Sequence, residues 1–99
     1  MRMLLKVSIP IEVGNEAIKK GILQKTVMNF VESRKPEATH FVADQGLRTM
    51  YAVFDLHNPA DIPSIAEPFF LHLNAEVLLT PAMNLEDMKA GVEKAMKQS

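Results

Sequence analysis

Cysteine and tryptophan are both absent from the 99 residues. Without a thiol there is no disulfide framework, no thiolate zinc site and no cysteine nucleophile, and the compartment cannot be read from redox chemistry. Glycine is scarce: Gly14, Gly21, Gly46 and Gly91 stand apart, so no glycine-rich loop is available to cradle a phosphate. Neither sign of charge dominates. Eleven Lys+Arg against twelve Asp+Glu leave a net charge of −1, with no basic excess for a nucleic-acid backbone. No apolar run approaches the roughly 18 residues of a membrane span. Lys6 interrupts Met3-Leu4-Leu5 and no small-residue cleavage site follows, so no signal peptide or membrane contact is expected and the expected location is cytoplasmic.

What is present is a core. Forty-seven percent of the residues are apolar, mean hydropathy is +0.01 and only 23% are charged, a balance that folds rather than stays disordered. The length fits one domain over 1–99, which buries roughly two thirds of its surface without metal or disulfide staples.

Breakers at Pro10 to Gly14, Lys35-Pro36, Gln45-Gly46, Asn58-Pro59 and Asn74 cut the chain into seven pieces. Residues 3–9 alternate as a half-buried strand, with Leu5, Val7 and Ile9 on one side. Residues 15–34 read as a helix capped by Asn15, with Ile18, Ile22, Leu23, Val27, Phe30 and Val31 at helical spacing. Residues 38–44 and 48–56 read as a hairpin around Gln45-Gly46. Asp61 is placed to cap a helix over about 62–73, which Pro68 should kink or split. Residues 75–81 form a fourth strand. Asn84, with Asp87 three residues on, opens a last helix striped by Leu85, Met88, Val92 and Met96.

The order β-α-β-β-α-β-α is an α+β, ferredoxin-like arrangement with an extra C-terminal helix. It implies an antiparallel four-stranded sheet in the order 4-1-3-2, with both main helices on one face. A turn centred on Gln45-Gly46 pairs hairpin residues whose numbers sum to 91. That sets His40 opposite Tyr51, Val42 opposite Thr49 and Phe41 opposite Met50. The helix-free face then carries Leu4, Lys6, Ser8, His40, Val42, Thr49, Tyr51, Val53, Asp55, Glu76, Leu78 and Thr80. It is too apolar for a solvated face, and a second copy of the same sheet is the simplest cover. Two such sheets would enclose a partly polar interior suited to a small molecule.

In this order of elements the chain resembles the dimeric α/β-barrel superfamily, whose ferredoxin-like monomers pair through their open sheet faces. Its members include muconolactone-isomerase-like enzymes and cofactor-free monooxygenases of antibiotic biosynthesis. More narrowly, Ile62-Pro63-Ser64-Ile65-Ala66-Glu67-Pro68-Phe69-Phe70, Leu73-Asn74-Ala75-Glu76-Val77 and Pro81-Ala82-Met83-Asn84 are similar to a group of short bacterial proteins of unknown function. The resemblance implies a homodimer, a small apolar or aromatic ligand and, if there is chemistry, an isomerase- or monooxygenase-like reaction without a cofactor. It carries over no catalytic residue.

Four residues are candidates for ligand contact. His40 and Tyr51 could supply a base and a hydroxyl donor to one ligand, or simply line a dimer interface. Lys6 and Glu76, on neighbouring strands, could form an ion pair inside the barrel or hold a ligand's polar group. His57 reads as a surface loop residue and His72 as an exposed helix residue. The histidines show no HxH or HExxH spacing, so no metal site is expected. Phe69 and Phe70 read as core beside Pro68, and the seven methionines as gap-filling packing. An RNA-recognition reading fails on its aromatics: the first strand has none, and the third offers only Tyr51 to the open face. The alternative to a ligand-binding or enzymatic dimer is a non-catalytic interaction or regulatory module whose open face only dimerises.

Overall fold

Every second side chain of β1 (Arg2–Ile9) is withdrawn from solvent: Met3, Leu5, Val7 and Ile9 are buried, and the residues between them are half-buried. The structure is a computed structural model that describes residues 1–98. After β1 come α1 (Ile11–Lys19), α2 (Ile22–Arg34), β2 (Ala38–Asp44), β3 (Leu47–Asp55), a 3-10 turn (Pro59–Asp61), α3 (Ile62–Leu73), β4 (Glu76–Pro81) and α4 (Leu85–Gln98). The four strands form one sheet in the order β2-β3-β1-β4, antiparallel throughout. This is the expected 4-1-3-2 order read from the other edge, in an α+β fold that matches the ferredoxin-like pattern with an added C-terminal helix. Among the described residues no helix is long and apolar enough to cross a membrane.

The hairpin turns where expected. Gln45 (φ 52°) and Gly46 (φ 80°) both take left-handed backbone, as a two-residue type I′ turn demands. The β2–β3 register therefore runs from Ala38 opposite Val53 to Asp44 opposite Leu47, with His40 opposite Tyr51.

The first helical stretch differs from the expectation. It starts at Ile11, directly after Pro10, whose carbonyl accepts the Gly14 N–H at 2.8 Å. It then breaks at Gly21 (φ 75°), a conformation no α-helix continues through. Asn15 is no cap; it lies inside α1 and its side-chain oxygen accepts from Arg48. The apolar spacing carried across the break, which is why it read as one helix.

Of the two outcomes expected at Pro68, a kink or a split, the split does not occur: Ile62–Leu73 is one continuous helix. The ring removes the N–H that would bond Ser64, and Ser64 is exposed, so solvent can satisfy its carbonyl. Nor does Asp61 cap this helix with its side chain. Asn58 caps the preceding 3-10 turn instead, accepting from Ala60 N–H at 2.9 Å, and Asp61 faces Arg34 at 3.6 Å.

The core lies between one sheet face and the helices. Phe30 of α2 meets Phe54 of β3 and Phe69 of α3 edge to face, at centroid distances of 5.7 and 5.9 Å. The methionines mostly do not serve it. Met3 and Met50 are buried, whereas Met28, Met83, Met88 and Met96 are exposed.

α4 opens with the expected reciprocal cap. Asp87 N–H donates to the Asn84 side chain at 2.8 Å, and Asn84 N–H donates to the Asp87 carboxylate at 3.1 Å. None of its fourteen residues is buried. The described chain extends 54 × 29 × 18 Å.

Candidate functional site

The sheet face opposite the helices is bare, and one row across it is His40, Tyr51, Lys6 and Leu78 on β2, β3, β1 and β4. Leu4, Val42 and Val53 flank the row. Thr49, between Ser8 and Val42, is the one open-face candidate that is fully buried, with its hydroxyl donating to the Leu47 carbonyl at 3.1 Å.

Lys6 and Tyr51 converge on Asp44, the last residue of β2. Tyr51 donates its phenolic hydrogen to Asp44 Oδ2 at 2.7 Å, and Lys6 Nζ lies 3.1 Å from the same oxygen. The Lys6 ammonium also sits 5.6 Å from the centre of the Tyr51 ring, within cation–π range. All three side chains are half-buried even though nothing covers this face.

The network sets its own charges. The Tyr51 hydrogen bond, then the one from Lys6, holds the Asp44 carboxyl below its ordinary 3.8. The bond to Asp44, then the contact with Tyr51, raises Lys6 above its ordinary 10.5. Both groups are therefore ionised across the neutral range. A general acid or base works best with a pKa near the operating pH, and these two are moved away from it. The cluster is suited to holding a ligand's polar group. Lys6 keeps unused N–H donors and Asp44 a second carboxylate oxygen for that purpose.

The structure thus brings together two of the four sequence candidates and leaves two aside. His40 shares a rung with Tyr51, but the phenol turns away from it to Asp44, and His40 is exposed. Glu76 lies opposite Ser8, while the ion pair of Lys6 goes to Asp44. Asp44 was missed, although strict alternation along β2 puts it on the same face as His40 and Val42.

Other polar candidates stand apart. His57 is exposed with Nδ1 3.5 Å from Asp55. His72 lines a groove of about 360 Å³ between α2 and α3. Phe69 is buried, but its neighbour Phe70 is exposed. Among the described residues no three His, Asp or Glu side chains gather as metal ligands would. On the helix side, a cleft of about 600 Å³ opens between α1, α2 and the closed end of the hairpin.

Compared with protein-family models and with curated proteins, the chain matches none.

Proposed function

We propose that the chain is one half of a homodimer formed through the open sheet face. The two facing sheets enclose a site in which Lys6, Asp44 and Tyr51 hold the polar end of a small apolar or aromatic ligand. The observation that carries this reading is the composition of the bare face. Leu4, Val42, Val53 and the half-exposed Leu78 surround a half-buried, self-neutralised polar network. An uncovered apolar face of this kind favours a partner, and an isologous pair lets each sheet cover the other. The resemblance to dimeric α/β barrels points the same way.

The exposed stripe of α4 supports a partner independently. Leu85, Met88 and Val92 lie on one side of a helix of fourteen residues, a length marginal in water by itself. Its first turn carries Glu86 and Asp87 and its last Lys97. Two such helices related by a two-fold axis perpendicular to them run antiparallel and match acidic start to basic end.

Binding is preferred to catalysis because the network's acid and base are held away from neutrality. The isomerase- or monooxygenase-like chemistry of the resembling families would have to come from His40, which stands outside the network. A purely interactive module would need only an apolar contact, and covering the half-buried Lys–Asp–Tyr cluster with a partner adds desolvation cost to that task.

Sedimentation equilibrium tests the reading. The chain should sediment at about twice its 11.1 kDa. Leu78→Lys, at a position half-exposed in the single chain, should sediment as a monomer with unchanged circular dichroism. A monomeric parent, or a dimer that ignores Leu78→Lys, overturns the proposed interface.

A further inference from the structure

The helix side of the sheet carries a second cavity, centred on the other side of β3 from Lys6 and Tyr51 and reaching Val42 and Thr49 at the hairpin's edge. The helical layer stops short of the edge strand β2. Phe41 is 61% exposed there, although Met50, its partner in the ladder, is 2% exposed. Between them and the helices lies the cleft of about 600 Å³, within the range of roughly 300–1,000 Å³ usual for small-molecule sites. Val7, Ile9 and Met50 line it from the sheet, Ile18 and Leu23 from the helices, and Phe41 from the edge.

Arg48 supplies the one charge among the lining residues. It stands opposite Ile9 on β1 and Ala43 on β2, on the helix side of β3. Its guanidinium lies against α1 at Gly14, where an added Cβ would come within 2.7 Å of Nη1. Nη2 donates to the Asn15 side-chain oxygen at 3.0 Å and Nη1 reaches the Ile11 carbonyl at 3.5 Å. Both acceptors are neutral. Among the described residues no carboxylate lies within ion-pair distance of Arg48, although Arg2 has two and Arg34 one. The nearby acids of α1, Glu12 and Glu16, line a separate groove with Lys20.

Arg48 is an exposed cation at the edge of an apolar cleft, oriented by neutral acceptors and without a carboxylate partner, and so is placed to receive a ligand's anionic group. We infer that this cleft binds an apolar monocarboxylate, with the hydrocarbon between helices and hairpin and the carboxylate on Arg48. A guanidinium fork pairs with a carboxylate through two parallel hydrogen bonds. Arg48 is the single charged residue of the lining, and one cation matches one carboxylate in charge. The inference does not rest on the dimer.

Decanoate and its uncharged analogue 1-decanol are the probes, followed by amide chemical shifts of the full chain. Decanoate should shift Gly14, Phe41 and Met50 saturably and bind about tenfold more tightly than decanol, as one charge-assisted contact allows. Arg48→Gln should erase that preference while decanol binding stays. Phe41→Asp, at an exposed position that does not endanger folding, should abolish both. Absence of saturable shifts, shifts centred on Lys6 and Tyr51, or a decanoate preference that survives Arg48→Gln would each overturn the inference.

Discussion

Tyr51 and Asp44 are joined by a 2.7 Å hydrogen bond that runs diagonally over the open face, from the middle of β3 to the closed end of its hairpin partner. That hydrogen bond comes first among the causes that hold the Asp44 carboxyl down, with Lys6 adding a hydrogen bond and its charge. Asp44 should therefore titrate below 3.8, and Tyr51→Phe and Lys6→Gln should each move its midpoint upward. Carboxyl carbon shifts followed against pH check this. A midpoint unmoved by Tyr51→Phe would mean that the phenol does not hold the carboxylate.

The pH dependence of stability follows from the same shifts. The Asp44 carboxyl is depressed on folding, so its contribution is complete above 3.8 and fades as pH falls through the lower folded value. Lys6 is raised, so its contribution is complete below 10.5 and fades as pH climbs through the higher folded value. The difference in urea midpoint between parent and Asp44→Asn should be level across neutral pH and shrink in acid below 3.8. A difference that grows on acidification would contradict this.

Phe69 and Phe70 are neighbours with opposite fates. Phe69 is 1% exposed against Phe30, and Phe70 is exposed. Phe69→Ala should cost about 3–5 kcal/mol, a large share of the ~5–15 kcal/mol typical of a domain. Phe70→Ala should stay within about 1 kcal/mol. Urea denaturation of the two variants separates them.

Gly21 sits at φ 75° with nothing within 4 Å of an added Cβ. Gly21→Ala therefore tests backbone strain without a steric clash, and should destabilise by about 1 kcal/mol. Gly21→Asn should lose less, because asparagine tolerates the left-handed region better. Equal stability of all three proteins would mean the α1–α2 break relaxes.

Met88→Gln with Val92→Gln changes two exposed positions on α4. In single chains at high dilution the denaturation midpoint should hold within about 0.5 kcal/mol, because no core contact is lost. At concentrations where the parent self-associates, the doubly changed chain should dissociate more readily by sedimentation.

Periodicity made the sheet legible. The element order, matched to the ferredoxin-like pattern, set the strand order, and alternation with the Gln45-Gly46 turn set the faces and the hairpin register, because period-two side chains and a symmetric turn leave little freedom. Helix ends were less legible. Asn15 has a cap's chemistry, yet its neighbours continued the helix back to Pro10, and Gly21 offered no apolar gap to mark the break. At the candidate site, Lys6 and Tyr51 could be read from their face. The third member could not be read from local pattern, because diagonal reach across a twisted sheet depends on how two long side chains lean. Arg48 was hidden for a similar reason: its significance lies in the carboxylates it does not meet.

The projecting α4 stretches the described chain to 54 Å along one axis and 18 Å along another, with a radius of gyration of 15.8 Å where about 13 Å suits a compact fold of this length. Such a rod-like tail adds hydrodynamic drag without adding mass. A lone protomer should leave a sizing column ahead of globular standards of equal weight and so mimic a heavier particle. Elution volume is thus a poor judge of stoichiometry for this molecule, and light scattered per unit mass is a sound one.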